Sequence, residues 1–130
     1  MGDLIYCLRA EHDLRLVLAA AVVCLGGLAL AYERVDDGLR TCPGQRRRRR
    51  LAFGATLAAL AVWCTHFLAM VGYRPDLKLN YDAALTVTSL GIVIGGNLLG
   101  LAVARAGEGW PWRLLGALTA MAGVCAMHFT

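Results

Sequence analysis

The sequence predicts an all-α, polytopic membrane helical bundle of about four transmembrane helices, formed by two repeated hairpins. Three observations predict it. The 130-residue chain is 58% hydrophobic and only 17% charged, with a mean hydropathy of +0.58, whereas a soluble domain carries about a quarter charged residues. The charges are segregated, with long stretches holding none while five arginines follow one another at positions 46–50. Finally, a segment of the second apolar stretch recurs in the fourth.

A helix of about 20 apolar residues crosses a bilayer core roughly 30 Å thick. The first such segment is 14–32, apolar apart from Arg15. It is too long for a signal-peptide core, and Glu33-Arg34 and Asp36-Asp37 follow it in place of a small-residue cleavage site, so it is read as a span. Residues 33–50 read as a charged loop. The second span, 51–73, is interrupted only by His66. The third, 83–104, has Asn97 as its one strongly polar side chain, expected to hydrogen-bond to a neighbouring helix. Its Gly91-x-x-x-Gly95 and Gly96-x-x-x-Gly100 pairs allow close helix approach. The fourth, 112–130, opens beside Pro111, whose missing N–H costs nothing there, and contains His128. Asp13 and Asp82 suit the N-caps of the first and third. These segments are apolar all round, lacking the polar stripe of a helix in a soluble bundle.

The arginines give an orientation. Nine of the thirteen basic residues fall on the side of the 33–50 loop, with Arg9, Arg15, Arg74 and Lys78 opposite. Short Lys/Arg-rich loops stay in the cytoplasm, so both termini are expected in the periplasm of a bacterial inner membrane. The arginine run also suits contact with anionic lipid head groups. The charges thus belong to membrane boundaries and not to a nucleic-acid surface. The odd count of five cysteines (Cys7, Cys24, Cys42, Cys64, Cys125) contains no CxxC pair and makes no disulfide framework.

This orientation gathers the histidines. His12 precedes the first span on the outer side, and His66 and His128 lie about 22 Å and about 24 Å up their helices at 1.5 Å per residue. Residues 54–68 and 116–130, GATLAALAVWCTHFL and GALTAMAGVCAMHFT, match at six of fifteen positions without a gap, His-Phe among them. The unit is a helical hairpin ending in His-Phe. An ionisable side chain within a membrane is a functional candidate. Met70 lies one turn above His66 on the same face, Met127 adjoins His128, and imidazole with thioether suits a soft ion such as copper. Cys64 and Cys125 lie slightly deeper. Trp63, Phe67, Tyr73 and Phe129 are read as interfacial anchors. No nucleophile–base pair, paired acids or phosphate loop is present, and Asp82 reads as a cap, so the chain is not read as an enzyme.

Glu11-His12-Asp13-Leu14-Arg15-Leu16-Val17, Trp63-x-x-His66-Phe67-x-x-Met70, Tyr81-Asp82 and Met127-His128-Phe129-Thr130 resemble the bacterial MHYT domain along essentially all of residues 1–130. The resemblance implies a membrane-embedded sensory module with Met-His-Tyr-Thr motifs near the outer face, binding copper and sensing oxygen, carbon monoxide or nitric oxide. It implies attachment to a cyclic-di-GMP or histidine kinase output domain. Carried over, the metal ligands are His66, Met70, Met127 and His128, with His12 as a further candidate. Thr65 replaces the first motif methionine, Phe67 and Phe129 replace tyrosines, and the Gly-Met that continues the motif does not follow Thr130. A truncated sensor is expected on that ground. Two alternatives remain: a haem-binding membrane protein with His66 and His128 as axial ligands, and a structural bundle whose histidines bridge helices. Transport is weaker, because both hairpins run the same way and inverted repeats are absent.

Overall fold

The structure, a computed structural model, describes residues 13–41, 43–72 and 82–130. Helices α1 (Leu14–Thr41), α2 (Gly44–Gly72), α3 (Ala83–Ala104) and α4 (Trp110–His128) account for nearly all of them. No strand occurs among the described residues, as the all-α prediction requires. α1, α2 and α3 are each long and apolar enough to cross a membrane. α4 has 19 residues. Trp110-Pro111-Trp112-Arg113 at its start and His128 at its end shorten its apolar middle, and it is not one of those three. His12, Cys7, Cys42, Tyr73 and Tyr81 lie outside the described residues.

The loop expected at 33–50 is corrected. α1 continues to Thr41 and α2 begins at Gly44, so each helix carries a charged end beyond its apolar segment. Charge ends a membrane span without ending a helix, since arginine and glutamate are good helix formers. Arg40 Nε and Asp36 Oδ1, one turn apart at 2.8 Å, support the last turn of α1. The chain reverses next to Gly44, whose φ of 61° costs glycine little. Arg50 Nη1 reaches back to Asp37 Oδ2 at 3.0 Å across the reversal.

Successive residues of an α-helix turn by about 100°, and this gives α2 two opposite faces. Arg50, Gly54, Ala61, Thr65 and Gly72 share the face along α1. There a Cβ added at Gly27 would sit 2.5 Å from that of Ala61, and one at Gly54 2.6 Å from Val35 Cγ2. Small residues on this line let the two backbones run close together. At the far end, the Asp13 N–H donates to Gly72 O at 2.8 Å, and Asp13 Oδ1 accepts from Arg15 N at the start of α1.

α3 and α4 form a second hairpin with the same construction. Asp82 caps α3, its Oδ1 accepting from Ala84 N and Leu85 N at 2.7 and 3.1 Å. Gly96 faces Gly123, and Gly100 faces Gly116. The sequence expectation of close approach is therefore met by Gly96-x-x-x-Gly100. Gly91 and Gly95 have nothing within 4 Å of an added Cβ, because they lie on a different face of α3. Asn97 also departs from expectation: its Nδ2 donates to Val93 O at 2.9 Å, one turn back in its own helix. A short amide on a helix finds its nearest acceptor in the preceding turn.

The two hairpins meet through the other face of α2, on a thinner contact with α3 than either hairpin has internally. The buried cluster there is Ala59, Val93 and Met127, one residue each from α2, α3 and α4, with Trp63, Leu90 and Val124 around it. Beyond this cluster, toward the C-terminal end of α2, the hairpins enclose a cavity.

Candidate functional site

That cavity has a volume of about 440 Å³. α2 contributes His66, Phe67 and Met70 to its walls. Met127, His128 and Thr130 come from the end of α4, and Asp82, Leu85, Thr86 and Ser89 from the first two turns of α3. The i, i+4 spacing of His66 and Met70 puts both on the seam face of α2. The structure thus brings His66, Met70, Met127 and His128 together around one space. His12 lies outside the described residues. Cys64 and Cys125 have free thiols and are not cavity-lining residues.

The two imidazoles touch. Their ring centroids are 5.0 Å apart and the planes meet edge to face at 75°. Each also stacks edge-on against its own phenylalanine, His66 on Phe67 at 5.5 Å and 88°, His128 on Phe129 at 5.3 Å and 79°. The repeat seen in the sequence is therefore also a repeat in side-chain geometry. Phe67 turns into the cavity wall, whereas Phe129 is 87% exposed.

Met127 serves two purposes. It is only 3% exposed and packs with Ala59 and Val93, so part of its side chain is core, while it also borders the cavity. Thr65, at the matching position of the first copy, faces α1. Its Oγ1 donates to Ala61 O at 2.7 Å and lies 3.4 Å from Ala20 O. The absence of a methionine at position 65 therefore takes nothing from the cavity wall as it is built.

The α3 wall is mostly polar, and of its polar residues the sequence reading picked out Asp82 alone, as a cap. Asp82, Thr86 and Ser89 fall at i, i+4 and i+7, one helix face. Thr86 Oγ1 donates to Asp82 O at 2.8 Å and Ser89 Oγ to Thr86 O at 2.8 Å. Trp63 Nε1 donates to Ser89 Oγ at 3.1 Å, so Trp63 reaches into the bundle and joins the hairpins; it is not an outward-facing anchor. The signal was a hydroxyl pair in step with Asp82 within an otherwise apolar span, and weakly polar side chains are easily passed over there.

The donor set tests the metal expectation. Two imidazoles in contact, with two thioethers on the same cavity, fit a soft or borderline ion. Among the described residues no three of His, Cys, Asp and Glu come together as a metal site, so the thioethers are needed to complete one.

An all-helical chain with three membrane-capable helices and a His–Met cavity between two like hairpins is a repeat-built membrane module. The chain belongs to the MHYT family, described as a bacterial signalling protein N-terminal repeat, which matches residues 60–117. It is 38% identical over 126 residues, 97% of this chain, to an "uncharacterized signaling protein" of Caulobacter vibrioides. Two Pseudomonas aeruginosa proteins are also similar. They are the bifunctional diguanylate cyclase/cyclic di-GMP phosphodiesterase MucR, 35% identical over 88% of this chain, and the cyclic di-GMP phosphodiesterase NbdA, 33% over 87%. The chain spans 16%, 17% and 14% of the length of these three relatives. No solved structure matches it.

Proposed function

We propose that the chain is the membrane-embedded sensory segment of a cyclic-di-GMP signalling protein, holding copper between its two hairpins. His66 and Met70 of α2 and Met127 and His128 of α4 would be the ligands. The observation that carries this reading is the 5.0 Å contact of His66 with His128, one from each repeat, at a cavity that Met70 and Met127 also line. Bound there, the ion would supply a site where oxygen, carbon monoxide or nitric oxide can coordinate. The protein's part is to join two hairpins whose shared contact is otherwise small. A change at those ligands would shift one hairpin against the other, and α2, a continuous helix over Gly44–Gly72, would link the site to the arginine end.

In this reading α4 is the fourth span, Arg113 marks its cytoplasmic end, and both termini face the periplasm across the inner membrane. Catalysis belongs to an attached output domain, supported by the enzyme names of the two Pseudomonas relatives. The edge-to-face ring contact favours a single ion over a haem, because a porphyrin between the rings would require them to part.

Metal analysis of the purified chain tests the proposal. About one copper per chain is expected, falling about tenfold or more in His66→Ala and in His128→Ala, since even an outer-shell partner costs about 10–100-fold in metal affinity when it is lost. Unchanged metal in both variants would sink the site. A Soret band in the membrane fraction after haem supplementation would transfer the same residues to haem ligation. Metal-free protein whose melting drops equally in both variants would leave only helix bridging.

A further inference from the structure

The seam face of α2 does not end at the core cluster. Stepping by about 100° per residue, Gln45, Arg48, Arg49 and Ala52 fall in the same sector as Ala59, Trp63, His66 and Met70. Arg47, Arg50 and Gly54 point the opposite way, toward α1. The arginine run is thereby divided by its helix. Arg50 is engaged by Asp37, and Arg40 on α1 by Asp36. No ion pair engages Arg48 or Arg49 among the described residues.

Arg48 and Arg49 line an open groove of about 670 Å³ together with Gly44, Gln45 and Ala52. Its chemistry suits a phosphate. Two arginine forks offer paired N–H donors in the geometry that phosphate oxygens accept, Gln45 adds an amide, and the groove adjoins the N-terminal end of α2, where the helix dipole is positive. The position suits a lipid. The groove straddles the start of the apolar segment at Leu51, with Ala52 in its lining, and Phe53, 55% exposed, lies just beyond it.

We infer that this groove seats the phosphate of an anionic phospholipid in the leaflet that the arginine turn faces. It lies about 27 Å along α2 from His66, at 1.5 Å per residue, at the other end of the same helix face. Arg48 and Arg49 are the recognising residues, and Arg47 and Arg50 belong to the packing of α1 on α2. The inference is independent of any metal at the histidines.

Native mass spectrometry of the 130-residue chain, in detergent doped equally with phosphatidylglycerol and phosphatidylcholine, tests it. Wild type should retain phosphatidylglycerol preferentially. The Arg48→Gln/Arg49→Gln double variant should lose about tenfold of that preference, as expected for two charge-assisted forks. An Arg34→Gln/Arg46→Gln double variant removes the same charge from the same end of the molecule and should stay within about twofold of wild type, because surface charge alone is screened. Equal losses in both would reduce the groove to a diffuse field and overturn the inference, as would no wild-type preference. Displacement of the lipid by millimolar inorganic phosphate would assign the groove to a soluble anion instead. Melting in phosphatidylcholine micelles reports folding of each variant. Should the glutamine pair fail to fold, Arg48→Lys/Arg49→Lys keeps the charge, and full retention of the preference in it would equally overturn the fork geometry.

Discussion

The seam inside each hairpin and the seam between hairpins are built from different materials. Inside, backbones approach through Gly27 and Ala61, and through Gly96 facing Gly123 and Gly100 facing Gly116. Between, the contact consists of side chains: Ala59 with Val93 and Met127, one indole hydrogen bond from Trp63 to Ser89, and two imidazole edges. Backbone contacts in a bilayer gain from dispersion over a long close line, and small residues are what permit them. Side-chain contacts can be rearranged by rotamer changes. The rigid seams therefore make each hairpin a unit, and the pliable seam is where a cavity opens and where a ligand can change the relation of the two units.

The largest expected effect comes from the rigid seam. Gly116 faces the carbonyl of Gly100 and the Ala104 side chain with no room for a Cβ. Gly116→Leu should cost more than about 3 kcal/mol, the upper end of overpacking penalties, and abolish the cooperative melting of the purified protein in detergent. A melting midpoint within a few degrees of wild type would mean that α3 and α4 can part freely, and the contrast between the seams would fail.

Met127→Ala comes next and probes the pliable seam. It removes a side chain that is 3% exposed and packed on Ala59 and Val93, so a loss of about 2 kcal/mol, the lower end for Met→Ala in a core, is expected. The protein should still fold. Measured together, melting and copper content separate the two roles of this residue, since packing loss alone leaves the metal content unchanged.

Much of this architecture was legible, for a physical reason. Apolar length and segregated charge are strong signals in a bilayer, and they located the helices. The repeat and the positions of His66 and His128 predicted that the two rings share a level, and they touch. What the sequence concealed was rotation about helix axes. Gly91-x-x-x-Gly95 and Gly96-x-x-x-Gly100 read alike, yet only the second faces α4. Asn97 was assigned a neighbour and instead bonds Val93 O one turn back. α3 is apolar all round and offered almost no amphipathic bias from which to choose a face, so its facing had to come from packing. The 33–50 loop failed differently, since hydropathy marks where the bilayer ends and not where the helix does.

Trp63→Phe addresses the hydrogen bond between hairpins. The ring is kept, while Ser89 Oγ, on a residue only 4% exposed, loses its donor. Because Ser89 still donates to Thr86 O, the cost should be about 1 kcal/mol, typical of one neutral hydrogen bond. The loss should appear as faster cysteine labelling at an engineered position in the seam, with the packing of α3 on α4 unaffected. No change in either melting or labelling would make Trp63 a passive wall.

The smallest effect has the opposite sign and sets one residue type against itself. Gly91 sits in the interior of α3, with nothing within 4 Å of where a Cβ would point, while Gly116 has no such space. Gly91→Ala therefore adds a methyl at no steric cost and removes conformational freedom from the unfolded chain, for a gain of up to about 1 kcal/mol. A small rise in melting midpoint is expected, against the collapse expected of Gly116→Leu. A clear fall would mean that the Gly91 face is covered in the assembled protein, by another copy or by a helix of a longer chain. The face would then be a third seam of the rigid kind, and the pairing of rigid hairpins across one pliable contact would describe only part of the molecule.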